Sequence, residues 1–84
     1  MSVKLDIPDE VIAALPVPEA EREHYLRLEM ACALYARDAL SLGNAAAMAG
    51  IPKFDFGVEV GRRGIPRHYE ATDLNADLVH VRGQ

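Results

Sequence analysis

Apolar and polar residues alternate from the start of the chain, Val3, Leu5 and Ile7 against Ser2, Lys4 and Asp6. This period of two predicts a short strand with one buried face. Pro8 closes it and suits the first turn of a helix, where its missing N–H costs nothing and where Asp9 and Glu10 favour the positive end of the dipole. A first helix over about residues 8 to 15 is expected, stopped by Pro16 and Pro18 around Val17. From Glu19 to about Leu40 the period lengthens. Tyr25, Leu28, Cys32, Tyr35 and Ala39 recur at steps of three and four, and Leu26, Met30, Ala33 and Leu34 widen the stripe. That pattern predicts a long, mostly buried helix, with Glu23 and Arg27 in the favourable i, i+4 order on its exposed edge.

Residues 41 to 69, SLGNAAAMAGIPKFDFGVEVGRRGIPRHY, carry the most information. Ser41 can cap a small-residue helix, and Gly50 can close it in a left-handed conformation. Ala46, Gly50, Ile51 and Phe56 then fall at the spacing of a helix-turn-helix: a small residue where two helices touch, a glycine at the turn, apolar anchors in the second helix. An ordinary helical hairpin, packed tightly through Ala45, Ala46, Ala47 and Ala49, fits the same spacing. Pro52 marks the start of the second helix, yet Gly57, Val58, Val60 and Gly61 are poor helix formers. A strand competes there, because Phe54, Phe56, Val58 and Val60 alternate with Asp55, Gly57 and Glu59. Gly64 ends the segment in either case. Ile65, Arg67 and Tyr69 read as a short extended stretch, and Thr72 or Asp73 can cap a last short helix holding Leu74 and Leu78.

The expected fold is therefore mainly α: a short N-terminal strand, a helical bundle with a helix-turn-helix-like segment, and a short C-terminal extended stretch and helix. With 84 residues it forms a single domain that buries little core, which favours dimerisation. Residues 1–40 serve dimerisation, 41–64 form the helix-turn-helix-like unit, and 65–84 form a C-terminal segment for partner contact. The lone Cys32 excludes an internal disulfide framework and reads as a small buried thiol. No apolar run reaches a membrane span and the N-terminus lacks a signal-peptide pattern, so a cytoplasmic protein is expected.

Charge is uneven along the chain. The net charge is −4, but residues 39–69 carry Lys53, Arg62, Arg63 and Arg67 against Asp55 and Glu59, so the basic part coincides with the candidate DNA-binding part. Enzyme chemistry finds little support. His24, His68 and His80 lack metal-ligand spacing, and the glycines at 57, 61 and 64 do not follow a phosphate-loop order. No catalytic residue, metal site or cofactor is expected. Lys53, Phe54, Arg62 and Arg63 are the candidate DNA contacts of the second helix, whose outward positions would be Pro52, Lys53, Phe54, Gly57 and Val58. A second route to DNA is a ribbon-helix-helix order in the N-terminal half, with Ser2, Lys4 and Asp6 facing the bases; a dimerising strand with a buried apolar face is the simpler reading. Near the C-terminus, Leu74, Leu78 and Val81 share one stripe if helical. With the acidic Asp77 they form a candidate contact to a basic partner, or else fold back on the chain's own core.

Three stretches, VKLDIPDEVIAAL, ALSLGNAAAMAGIPKFDF and RRGIPRHY with the following DLNADL, resemble uncharacterised protein family 0175, small prokaryotic proteins regarded as antitoxins. The resemblance covers residues 3 to 78. It implies an antitoxin of a type II toxin–antitoxin pair. Such a protein binds and neutralises a toxin, a PIN-domain ribonuclease being the kind encoded beside members, and represses its own promoter through DNA. The chain departs from the family at Gly57, Val58, Val60 and Gly61, where a Leu- and Glu-rich helical stretch is usual, and this counts against a regular recognition helix. The rival reading is a dimeric protein-interaction module that does not touch DNA.

Overall fold

The computed structural model describes residues 2–67. Within them the chain is helical: α1 (Asp9–Ala13), a 3-10 turn (Glu19–Glu21) running into α2 (Arg22–Ala36), α3 (Leu42–Ala49) and α4 (Lys53–Arg62). The core is built from α2, α3 and α4. Ala31, Cys32 and Tyr35 come from α2, Leu42, Ala45, Ala46 and Ala49 from α3, and Phe56 and Val60 from α4. Leu28, Leu40, Met48, Ile51 and Ile65 close its edges. The small face of α3 leaves room for the two largest buried side chains, the rings of Tyr35 and Phe56, which meet edge to face at 5.9 Å and 86°. Such a pair adds about 0.5–1.5 kcal/mol to what its area burial contributes.

Each core helix ends in the same way. The chain turns through a left-handed residue, Asp38 (φ 65), Gly50 (φ 75) or Gly64 (φ 74). The next amide donates back to a carbonyl five residues earlier: Ala39 to Leu34 at 2.8 Å, Ile51 to Ala46 at 3.2 Å and Ile65 to Val60 at 2.9 Å. These bonds satisfy carbonyls that a helix end would otherwise leave bare. At the opposite end of α3, the Ser41 hydroxyl accepts from the Asn44 amide at 3.1 Å, the cap expected from the sequence.

Several expectations need correction. No strand occurs among the described residues, and residues 2–8 form neither helix nor ladder, because a single alternating segment has no stability until another strand satisfies its backbone. The first helix is shorter than residues 8 to 15 and buries nothing. The long helix starts at Arg22 and stops at Ala36, since Asp38 takes the left-handed turn, and this leaves Ala39 exposed instead of on the buried stripe. It is also less buried than its pattern suggested: Tyr25, Leu26, Met30 and Leu34 are only half-covered.

The segment from Lys53 to Arg62 is helix, not strand, despite Gly57 and Gly61. Phe56 and Val60, one turn apart, are fully buried, and this packing outweighs a propensity deficit of about 1 kcal/mol for each glycine. The C-terminal extended stretch and last helix lie outside the described residues, apart from Ile65, Pro66 and Arg67, which form no regular element.

Alanine substitution should have opposite signs at two glycines three residues apart. Gly61 is helical with open space where a Cβ would stand, so Gly61→Ala should stabilise by up to about 1 kcal/mol. Gly64 also has open space but a left-handed backbone, so Gly64→Ala should destabilise by about 1–2 kcal/mol. Urea unfolding of the two variants measures both; shifts of the same sign would contradict a helix end at Gly64.

Candidate nucleic-acid and partner interface

The outward face of α4 begins with Lys53 and Phe54 and continues one turn on with Gly57 and Val58. Phe54 is 80% exposed and Val58 57%. Leu42 of α3 and Arg67, beyond the end of α4, complete an open groove of about 330 Å³ lined by Leu42, Lys53, Phe54, Gly57, Val58 and Arg67. Two glycines lie beside its cations. A Cβ at Gly43 would stand 3.4 Å from Cε of Lys53, and one at Gly57 would stand 3.7 Å from a guanidinium nitrogen of Arg67. Both distances are ordinary van der Waals contacts that a Cβ would tolerate, and the groove combines an apolar floor with positive charge at its edges.

At the other end of α4 the charges have a different role. Arg63 donates from Nε to Glu59 at 2.5 Å and from Nη2 to Glu29 of α2 at 2.6 Å. Arg62 donates from Nε to the same Glu59 at 3.3 Å and also reaches it through Nη2. Hydrogen bonds from Arg62 and then Arg63 hold the Glu59 carboxyl below the usual carboxylate range. Glu29 first and Glu59 second push the Arg63 guanidinium further up. Arg63 therefore ties α4 to α2. Its side chain is largely covered, while that of Arg62 is mostly exposed.

Of the five residues expected at DNA, the structure brings Lys53 and Phe54 together in the groove. Arg62 and Arg63 sit near the far end of α4, about 14 Å away along the helix axis at 1.5 Å per residue, and Arg63 is engaged with two carboxylates. Lys4 lies exposed on the N-terminal segment. The candidate partner contacts Leu74, Asp77, Leu78 and Val81 lie outside the described residues. Sequence reasoning missed two features: the link from Glu29 to Arg63 and Arg67 at the groove. The four-residue step from Glu59 to Arg63 signals their local pair, whereas the link to Glu29, 34 residues away, has no local signal.

Two expectations for α2, at Cys32 and at the Glu23–Arg27 pair, hold. Cys32 is buried, and burial pushes its thiol up. Glu23 and Arg27 pair at 3.7 Å on the exposed edge of α2. Among the described residues, no cluster of His, Cys, Asp and Glu could hold a metal ion, and no helix is long and apolar enough to cross a membrane.

Comparison with known proteins extends the family likeness across the groove and the core alike. The profile described as "Uncharacterised protein family (UPF0175)" matches residues 1–83. The chain belongs to this family. A UPF0175 protein of Aeropyrum pernix is 45% identical over 69 residues, 82% of this chain and 78% of its own length. One from Archaeoglobus fulgidus is 32% identical over 76 residues, 90% of this chain and 85% of its own length. A UPF0175 protein of Synechocystis is 27% identical over the full chain and 90% of its own length. No solved structure matches the chain.

The Glu59 cluster makes stability depend on acid. A carboxylate whose folded pKa is depressed stabilises the fold above its unfolded value, and that contribution is lost as pH falls through the folded value. Urea unfolding between about pH 3 and 7 should therefore show a decline below the ordinary glutamate range that Glu59→Gln makes shallower. At neutral pH, Arg63→Ala should cost about 1–2 kcal/mol, because Glu29 and Glu59 are deprived of a charged donor, whereas Arg62→Ala should leave the midpoint almost unchanged.

Proposed function

We propose that this UPF0175 chain is the antitoxin of a type II toxin–antitoxin pair. It binds and neutralises a toxin, a PIN-domain ribonuclease, and represses its own promoter through the α3–α4 hairpin acting as a helix-turn-helix. The observation that carries the DNA part is the hairpin itself. Ala46 is buried at the contact between the helices, Gly50 turns the chain in the left-handed conformation, and Phe56 anchors α4 in the core. This is the division of labour such a motif requires, and it leaves the outward face of α4 for a major groove. Lys53 and Arg67 beside that face, with the exposed Arg62, are the cations suited to phosphate; Arg63 serves the fold.

One observation favours the protein-interaction reading over DNA readout. The outward face of α4 offers Phe54 and Val58 where a base-reading helix offers polar side chains able to reach base edges. Exposed aromatic and aliphatic residues next to Lys53 and Arg67 suit a protein partner as well. The two readings differ in salt dependence and in whether DNA is bound at all.

Titration against the chain's own promoter fragment separates them. Two to three phosphate contacts from each of two chains should give a log–log salt slope of about −4 to −5. Lys53→Ala should make it shallower by about 2, because each of the two chains then neutralises one phosphate fewer. Absence of binding at about 50 mM salt, with toxin capture intact, would leave the interaction module standing.

The toxin contact is tested by co-expressing the adjacent toxin gene with the full chain and with a chain ending at Tyr69. The expected result is that the shortened chain stays folded by circular dichroism but no longer protects growth, which assigns neutralisation to residues 70–84, with Leu74, Asp77, Leu78 and Val81. Protection by the shortened chain would refute that assignment, and failure of the full chain to protect would refute the antitoxin reading.

A further inference from the structure

Residues 2–7 combine three properties. They carry strict alternation, Ser2, Lys4 and Asp6 against Val3, Leu5 and Ile7. They join no ladder, and their backbone groups make no hydrogen bond to another segment among the described residues. Val3 is 84% and Leu5 62% exposed, Ile7 is half-buried, and the neighbouring α1 buries nothing. An alternating segment with bare backbone groups and an uncovered apolar face is complete only when another strand lies beside it.

We propose that this segment pairs with the same segment of a second copy of the chain, as an antiparallel ribbon whose two-fold axis passes through Leu5. The register follows from the side chains. In an antiparallel pair, directly opposite residues point to the same face, and a two-fold axis through one residue places its neighbours on either side opposite each other. With the axis at Leu5, Leu5 meets Leu5 and Val3 meets Ile7, all on one face. On the other face Lys4 meets Asp6 and Asp6 meets Lys4, so each dimer gains two cross-strand ion pairs.

Shifting the axis by one residue sets Lys4 against Lys4, or Asp6 against Asp6, and forfeits both ion pairs. An axis between two residues sets every apolar side chain opposite a polar one, a mismatch that exposes the apolar set. Over residues 3–7 the Leu5 axis is the register in which every opposition is favourable. Self-complementarity of this kind fits a second copy rather than an unrelated strand.

The pairing goes beyond the antitoxin reading and needs neither toxin nor DNA. It also reassigns Lys4, which is matched by Asp6 of the other copy. The polar face of the ribbon is then close to neutral and unsuited to neutralising phosphate, so the ribbon joins two α3–α4 hairpins into one molecule rather than entering a groove itself.

Sedimentation velocity across a concentration series tests the register, with circular dichroism to verify that each variant keeps its helices. The full chain should be a dimer. Lys4→Asp and Asp6→Lys, each placing like charges opposite one another, should each weaken dimerisation at least about tenfold. The double exchange, Lys4→Asp with Asp6→Lys, should restore it. In a Cys32→Ala background, Leu5→Cys should form an intermolecular disulfide under mild oxidation and Val3→Cys should not, since only Leu5 faces its own copy. A monomer at all concentrations, single exchanges that leave the dimer unchanged, a double exchange no better than the singles, or crosslinking at Val3 in place of Leu5 would each overturn the proposal.

Discussion

The close approach of three helices around Ala45, Ala46 and Ala49 is the constraint on which the rest of the structure depends. These alanines are almost fully buried, and their short side chains let α2 and α4 come near enough for Tyr35 and Phe56 to meet edge to face. A larger residue at any of them would push α3 away from one neighbour and open a gap beside a ring. Truncating a buried aromatic costs about 3–5 kcal/mol, a large part of what a domain of this size has in reserve. The Arg63 link between Glu59 and Glu29 sits at the rim of the same contact. Partly open to water, it contributes less than the rings and ties the end of α4 to α2.

Helix termination is the second determinant of the architecture. Asp38, Gly50 and Gly64 each reverse the chain within a few residues. The residue after each turn, Ala39, Ile51 or Ile65, returns its amide to the helix just completed. Ile51 and Ile65 also pack at the edge of the core, so the turns contribute apolar contact as well as hydrogen bonds. Asp38 holds with a side chain the conformation that glycine adopts freely at the other two, in keeping with the tolerance of aspartate for this region.

Most of the core was legible in the sequence, because it rests on local rules. The Ser41 cap, the Gly50 turn, the small face of α3 and the burial of Cys32, Tyr35 and Phe56 all follow from residue type and spacing. What misled was local propensity wherever tertiary contact decides. Gly57 and Gly61 argued against a helix that Phe56 and Val60 hold in place, and nothing in the pattern of residues 19 to 40 marked Asp38 as the left-handed turn. The strand expected over residues 3 to 7 is a pattern whose stability depends on another strand, so one chain alone does not display it. At the candidate interface, Lys53 and Phe54 could be chosen by their outward positions. The place of Arg67 beside Gly57 depends on the path of the chain after α4, and sequence periodicity does not encode that.

The burial of Cys32 has a kinetic consequence. Its thiol lies among Tyr35 and the α3 alanines in the core cluster, and desolvation lowers the fraction present as reactive thiolate. A thiol reagent can reach it only when α2 parts from its neighbours. The rate at which this single thiol is alkylated, relative to an unhindered thiol, then reports how often the three-helix unit opens. The chain carries a native probe of its own breathing, placed where an interior opening must pass and requiring no introduced label.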